Sequence, residues 1–220
     1  MIKAVFIDFY GTIVHEDGEI VNKISNLIFE TGNAQSASEV DSYWWDSFRT
    51  SFENSYGVNF QTQRELERQS LAKTIDYFKS SENAEQLCGE MFDFWMKPTI
   101  FDETKQFFKE CPVPIYIVSN IDRADVLEAI KYHDLQPQDV ITSEDAKSYK
   151  PRKEIFELAL RKNGLEVDEV IHIGDSLSSD VKGANAVGIN AIWINRSGKA
   201  IPENVTAVNN LMEVLLYIKL

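Results

Sequence analysis

The sequence predicts an α/β protein built on a Rossmann-like, doubly wound parallel sheet, with a helical domain inserted into it. Short apolar runs rich in β-branched residues recur along the chain. Segments with helical spacing separate these runs, as in the β-α-β units of parallel sheets. About a hundred residues lie between the first run and the second, whereas a single crossover helix needs roughly a dozen. The extra length indicates an insertion.

Four apolar runs predict the strands of the sheet, namely "KAVFID", "VPIYIVS", "VIHIG" and "NAIWIN". The segment "DVIT", at residues 139–142, is a weaker fifth candidate. Helical spacing predicts crossover helices at residues 102–110, 122–132, 152–163 and 178–187, and a last helix at 208–217. This alternation is typical of an open sheet with helices on both faces.

The inserted segment, residues 18–96, contains four consecutive stretches with helical spacing, punctuated by Gly, Asn and Ser. We therefore predict a core domain formed by residues 1–17 and 97–220 and a helical cap domain formed by residues 18–96. An aromatic-rich stretch, with Tyr43, Trp44, Trp45 and Phe48, is predicted to form the core of this helical bundle rather than a ligand site.

Composition limits the classes of partner. The chain has 220 residues, with 22 Lys and Arg against 35 Asp and Glu, and a net charge of −13. This charge argues against binding to nucleic acid or to an anionic membrane, and favours a small-molecule substrate. The isolated Cys88 and Cys111 are expected to be reduced thiols. With no membrane-spanning run and no signal segment, we expect a cytoplasmic protein; the oligomeric state is not predicted.

Charged and hydroxyl side chains occur where the predicted strands end. Asp8 ends the first strand, Ser119 the second, and Asp175 follows "VIHIG". Lys150 lies just before a helix whose start is marked by Pro151. Because ligands of open parallel sheets bind at the carboxyl ends of the strands, we expect these side chains to share one crevice.

Four segments in order resemble the motifs of the haloacid dehalogenase (HAD) superfamily. "DFYGT" is similar to the first motif, "IVSN" to the second, Lys150-Pro151 to the third and "IGDSLSSDVKGA" to the fourth. Each motif follows a predicted strand or precedes a predicted helix, and the resemblance spans nearly the whole core.

The resemblance implies a hydrolase in which Asp8 is the nucleophile and forms a covalent aspartyl intermediate. In its phosphatase branch, Thr12, Ser119 and Asn120 would bind the substrate phosphate. Lys150 would offset the repulsion between an anionic nucleophile and an anionic substrate. These roles imply a small, phosphorylated substrate.

The same resemblance implies a magnesium ion. Asp8 and Asp175 would supply carboxylate oxygens, and the main-chain carbonyl of Tyr10 would be a further ligand. Asp180 resembles the outer acidic residue of the family, which supports the metal site or a water. A second role, as a carboxylate favoured at a helix N-terminus, is compatible with the first.

Tyr10 departs from the phosphatase pattern, in which this position is a second aspartate that protonates the leaving group. The L-2-haloacid dehalogenases of the superfamily read "DxYGT" here and need no such proton, because halide leaves unaided. Their fourth motif, however, has serine and asparagine where this chain has Asp175 and Leu177, and a tyrosine of their site corresponds to Phe156. The chain thus combines a dehalogenase-like first motif with a phosphatase-like fourth motif.

We predict a magnesium-dependent hydrolase of the HAD type that acts on phosphate, because a metal ligand such as Asp175 has little use in a metal-free dehalogenase. Two alternatives stay open at this point. One is an L-2-haloacid dehalogenase-like hydrolase, and the other is a catalytically weakened HAD-fold binding protein.

Overall fold

The computed structural model describes residues 1–218, and within them six parallel strands form one sheet. Its order is β3-β2-β1-β4-β5-β6. The strands are β1 (Ala4–Ile7), β2 (Ile115–Ser119), β3 (Asp139–Thr142), β4 (Val170–Gly174), β5 (Asn190–Ile194) and β6 (Thr206–Val208). All residues of β1, β2 and β4 are buried, as expected for strands covered on both faces. The predicted doubly wound α/β class is confirmed.

The chain forms two compact units, one from Asp17 to Pro98 and the other from Met1–Glu16 together with the chain from Thr99 onward. The first unit contains the helices α1 (Gly18–Thr31), α2 (Ala37–Asn54), α3 (Gln63–Tyr77) and α4 (Ala84–Met96), with a 3-10 turn at Gly57–Asn59. That this unit acts as a cap stays a prediction.

Polar caps define where the helices of this unit begin. Ser36 and Asn83 accept hydrogen bonds from main-chain N–H groups at the starts of α2 and α4. Thr62 and Glu65 form a capping box at the start of α3. These side chains satisfy N–H groups that have no partner within the helix.

The aromatic stretch of α2 is divided between core and surface. Trp44 and Phe48 are buried, and the indole Nε1 of Trp44 donates to Ser70 Oγ at 3.1 Å. Trp45, in contrast, is 59% exposed, so its predicted place in the bundle core is wrong. At 3.6 residues per turn, adjacent residues are about 100° apart around a helix, so both tryptophans cannot face the same core.

The unit that contains the sheet has further helices on its faces, and two of the predicted helices are shorter than expected. They are α5 (Thr104–Glu110), α6 (Arg123–His133), α7 (Ser143–Ala146), α8 (Lys153–Asn163), α9 (Gly183–Ala186) and α10 (Leu211–Val214), with a 3-10 turn at Val167–Glu169. The predicted helix at 178–187 consists of a π-helical turn, Leu177–Lys182, followed by α9. The predicted helix at 208–217 begins only at Leu211, because Val208 belongs to β6 and Asn210 caps α10.

One face of the sheet packs against α8 and α9. Side chains of β1, β2, β3 and β4 meet Ile155, Phe156 and Ala159 of α8 there, in one apolar cluster. Phe156, which the sequence aligns with a site tyrosine of the dehalogenases, is fully buried in this cluster. No helix in the described part of the chain combines the length and apolar character needed to cross a bilayer.

Side chains from distant parts of the chain fix the loop after β1. Thr104 Oγ1 donates to the main-chain oxygen of Ile13 at 2.8 Å, and Arg196 Nη2 donates to that of Thr12 at 2.9 Å. The Arg196 guanidinium also lies over the ring of Phe101, 3.6 Å from its centroid. Hydrogen bonds from Thr104 and Arg196 therefore fix the loop that carries the first sequence motif.

The loops after β1 and β4 approach each other closely at Gly11. Gly11 has a φ of +83°, and a Cβ there would lie 2.7 Å from the carboxyl carbon of Asp175. A residue with a side chain would be strained at this φ and would also push against the Asp175 carboxylate. Glycine at this position allows the two loops to lie side by side.

We therefore expect Gly11→Ala to destabilise the protein by at least about 1 kcal/mol, through backbone strain and displacement of Asp175. The control is Gly89→Ala in α4, where a new Cβ meets no atom within 4 Å. That variant should be neutral or more stable by up to about 1 kcal/mol, because alanine favours helix over glycine. Chemical denaturation measures both, and equal effects would contradict the close approach.

Candidate active site

Three carboxylates meet at the carboxyl edge of the sheet. Asp8 directly follows β1, Asp175 directly follows β4, and Asp180 lies in the π-helical turn behind Asp175. Because β1 and β4 are neighbours in the sheet, their ends lie side by side. One oxygen from each of the three carboxylates lies within 4.8 Å of the others. Together they form an acidic cluster that could hold a cation.

Lys150 brings an ammonium group into this cluster. Its side chain is 2% exposed, and its Nζ donates to Asp8 Oδ1 at 2.5 Å and to Asp180 Oδ1 at 2.7 Å. Burial alone would lower the pKa of Lys150, but the two carboxylates outweigh it and raise this pKa above its ordinary value. Lys150 is thus a fixed cation that bridges two of the acids.

The three carboxylates differ in how well they are compensated. Burial raises the pKa of Asp8 to about 7, with Lys150 opposing this rise and Asp180 adding to it. Burial and the charges of Asp8 and Asp180 raise the pKa of Asp175 to about 8. For Asp180, burial also favours the neutral acid, but Lys150 and His172 outweigh it and hold its pKa well below the usual range. Asp180 is therefore the stably ionised member of the cluster.

Hydrogen bonding explains this difference. Asp180 accepts from Lys150 and His172 through Oδ1, and from the main-chain N–H of Ser176 through Oδ2 at 3.1 Å. The Asp175 carboxylate has a long contact of 3.4 Å with Thr12 Oγ1. Asp180 is committed to protein donors, whereas the oxygens of Asp175 are better placed to bind a metal ion.

Thr12, Ser119 and Asn120 also lie at this edge of the sheet. Thr12 and Ser119 are buried, and Ser119 Oγ accepts from the main-chain N–H of Ile121 at 3.2 Å. Asn120 Oδ1 accepts from Lys150 N at 2.7 Å, and its Nδ2 donates to Lys150 O at 3.2 Å. Asn120 therefore holds the main chain of Lys150 with both ends of its amide. The substrate-binding roles of these three residues stay predictions.

Tyr10 follows Asp8 by two residues and is half-buried. Its ring contacts Phe9 edge-on, with centroids 5.1 Å apart, and its main chain pairs with that of Val14. The chain thus has a phenol, and not a carboxylic acid, two residues after Asp8. Its roles as a metal ligand through its carbonyl and as a catalytic residue stay predictions.

Two residues that support the acids, His172 and Trp193, are not among those predicted from the sequence. His172, in the middle of β4, lies with Nε2 at 2.9 Å from Asp180 Oδ1, and the indole Nε1 of Trp193 donates to the main-chain oxygen of Asp175 at 2.7 Å. Both belong to strands whose other residues are mostly apolar. The available signal was a lone histidine between isoleucines, two residues before Gly174.

Comparison with known proteins agrees with this geometry. A model of the haloacid dehalogenase-like hydrolase family matches residues 2–188. A ribulose-1,5-bisphosphate 5-phosphatase of Halopiger xanaduensis is 32% identical over 101 residues, which cover 43% of this chain and 41% of that protein. The alignment thus spans less than half the length of this curated relative.

Two solved structures share the fold over nearly their whole length. An L-2-haloacid dehalogenase of Xanthobacter autotrophicus has a TM-score of 0.76 at 18% identity, with 99% of this chain and 98% of that chain covered. The HAD-hydrolase YfnB of Bacillus subtilis, in a magnesium-bound form, has a TM-score of 0.77 at 19% identity, with the same coverage of 99% and 98%. Since the family model spans most of the chain and the fold agrees, the protein belongs to the haloacid dehalogenase-like hydrolases, as its four motifs predicted.

Proposed function

We propose that the protein is a magnesium-dependent phosphatase that acts on a small phosphorylated metabolite through a covalent aspartyl intermediate. The observation that carries this proposal is the Asp175 carboxylate. Asp175 is half-buried and forms a cluster of three acids with the buried Asp8 and Asp180, both of which are bonded to the Lys150 ammonium.

Charge balance supports a divalent cation in this cluster. If all three acids are ionised, the ammonium of Lys150 compensates one of them and two negative charges remain. Burial, together with the charges of the neighbouring carboxylates, raises the pKa values of Asp8 and Asp175. A divalent cation matches the missing charge, and hard carboxylate oxygens are the ligands that magnesium prefers.

The ion would be held by Asp8, Asp175 and the main-chain carbonyl of Tyr10. Asp180 would not be a ligand, because it is the partner of Lys150. When bound, magnesium withdraws charge from phosphate oxygens and favours attack by an anion. Two similar proteins support phosphatase activity and magnesium binding. The ribulose-1,5-bisphosphate 5-phosphatase aligns with part of this chain, and the YfnB structure contains magnesium.

In the proposed reaction, an Asp8 carboxylate oxygen attacks the phosphorus atom, and the bond from phosphorus to the leaving oxygen breaks. This gives an aspartyl phosphate and an alkoxide, phenolate or carboxylate, and an alkoxide or phenolate takes its proton from solvent water. Water then attacks the phosphorus of the aspartyl phosphate and releases inorganic phosphate, which restores Asp8. Lys150, whose Nζ lies 2.5 Å from Asp8 Oδ1, reduces the repulsion between the two anions during attack.

Tyr10 limits which leaving groups suit this reaction. A phenol with an ordinary pKa of about 10 is a weak proton donor near neutral pH compared with a carboxylic acid. Acyl and aryl phosphates, whose leaving groups are stable anions, therefore fit the site better than alkyl phosphates.

Dehalogenation is the second candidate, and Tyr10 with Ser119-Asn120 favours it, because the dehalogenase motifs have the same residues. Asp175 weighs against it, since this half-buried carboxylate adds a negative charge that a halide-releasing site does not need. A binding protein without activity is the third candidate. Its site would have little reason to keep Lys150 buried between two ionisable acids.

The variant Asp175→Asn tests the metal site by stability. Because the pKa of Asp175 is raised in the folded state, its carboxyl group does not reduce the stability of the fold at pH values below the unfolded pKa near 3.8. The loss of stability grows as pH rises from that value to about 8. In the presence of a metal chelator at pH above 8, the variant should therefore have a higher melting temperature than the wild type. Magnesium should raise the melting temperature of the wild type and leave that of the variant unchanged.

The control for this experiment is Asp102→Asn, which removes an exposed carboxylate of the same unit. It should respond to magnesium as the wild type does. Equal stabilisation of the wild type and Asp175→Asn by magnesium would contradict a metal site at Asp175.

Tyr10→Asp tests the leaving-group argument. In wild type, the logarithm of the rate should fall steeply as the leaving-group pKa rises, because an alkoxide must be protonated as it departs. The added carboxyl group should raise alkyl phosphate turnover by roughly a hundredfold, the low end of general acid catalysis, and flatten the plot.

Tyr10→Phe is the matched control, since it keeps the ring and removes only the hydroxyl. It should leave the slope of the plot unchanged. A flat wild-type plot, with the chemical step shown to limit the rate, would mean that another residue already supplies the proton.

A further inference from the structure

His172 is a polar residue in a strand whose residues are all buried. It lies in the middle of β4, between Phe6 of β1 and Ala191 of β5 in the sheet register, and is fully buried. The ring of Phe156 contacts its imidazole edge-on, with centroids 5.1 Å apart. Packing alone would favour a residue without polar atoms, because a buried polar group costs free energy unless it is hydrogen-bonded.

The direction of its hydrogen bond follows from its partner. Asp180 Oδ1 lies 2.9 Å from His172 Nε2 and already accepts from Lys150 Nζ at 2.7 Å. An ionised carboxylate has no proton to give, so Nε2 must be the donor. No described residue bonds Nδ1, which is buried. A proton there would be a buried donor without an acceptor, so the imidazole is neutral and carries its proton on Nε2.

This bond completes a linear chain of four side chains. His172 donates to Asp180, and Lys150 links Asp180 to Asp8. Gly174 leaves room for this position of Asp180, because a Cβ at residue 174 would lie 2.1 Å from the Asp180 carboxyl carbon. The Asp180 carboxylate is therefore held in one orientation while it anchors Lys150.

We propose that His172 is a positioning residue whose Nε2–H orients the Asp180 carboxylate and, through it, aims the Lys150 ammonium at Asp8. This inference rests on the proposed function, in which Lys150 offsets charge between Asp8 and the substrate phosphate. Loss of the N–H should leave substrate and metal binding largely intact and slow the chemical step. Supporting partners of this kind typically change activity by roughly ten- to a hundredfold.

The first test does not depend on any reaction. The chain has three histidines, so nitrogen-15 NMR of histidine-labelled protein gives three imidazoles, and the one missing in His172→Gln is His172. The proposal expects that imidazole to be neutral with its proton on Nε2 near neutral pH. A proton on Nδ1 alone, or on both nitrogens, would overturn it.

The second test compares His172→Leu, which removes the donor, with His172→Gln, whose amide N–H can replace Nε2–H. The leucine variant should lower kcat by roughly ten- to a hundredfold with KM and magnesium affinity near wild type, and the glutamine variant should recover most of the rate. Val170→Ala, on the same strand and in the apolar cluster, controls for loss of stability. If leucine and glutamine variants lose equal activity, in proportion to the stability they lose, the positioning role is wrong.

A crystal structure of His172→Leu separates this inference from the proposed function. The expected result is a displaced Lys150 Nζ, no longer within hydrogen-bond distance of both Asp8 Oδ1 and Asp180 Oδ1. An unmoved Lys150 would overturn the inference. If the wild type releases no phosphate from any phosphate ester, the proposed function fails, and the NMR spectrum and this structure still decide whether His172 positions Lys150.

Discussion

The Lys150 ammonium, buried between Asp8 and Asp180, is the interaction on which the site depends. It joins the end of β1 to the turn after β4 across a long stretch of sequence. A buried charge is tolerated only when it is paired, and loss of one partner of such a pair typically costs about 3–5 kcal/mol. Asn120 holds the main chain of Lys150, and His172 holds one of its carboxylates. The surrounding residues thus fix one cation against the proposed nucleophile.

The same site contains three carboxylates and one ammonium group, and the proposed chemistry follows from this excess of negative charge. Asp175 adds a carboxylate that protein donors compensate poorly, and burial together with the charges of Asp8 and Asp180 raises its pKa. Such an arrangement lowers the stability of the free protein while it provides a place for a divalent cation. In this account, the residue that distinguishes a phosphatase from a dehalogenase is also the one that destabilises the metal-free fold. Under the proposed function, Tyr10 restricts the reaction to leaving groups that need no proton.

The sequence predicts the sheet and the meeting of the acids, because buried strands appear as apolar runs and the ends of neighbouring parallel strands share one edge. Asp8 and Asp175 could therefore be placed from their positions after "KAVFI" and "VIHIG". The lone histidine of "VIHIG" is a local signal, but the roles of His172 and Trp193 depend on which strands are neighbours and on side-chain direction across them. The short strand β6 was missed for a related reason: three residues carry too little pattern to separate a strand from the helix that follows.

Trapping of the reaction intermediate shows whether Asp8 accepts a phosphoryl group. The enzyme is mixed with magnesium and an acyl or aryl phosphate, quenched in acid during turnover, and digested for mass spectrometry of the peptide that contains residue 8. A second sample receives a short 2-haloacid instead of the phosphate. The account predicts a phosphoryl group on Asp8 in the first sample and no adduct in the second. An unmodified Asp8 throughout turnover of the phosphate, or an ester of Asp8 formed only from the haloacid, would contradict it.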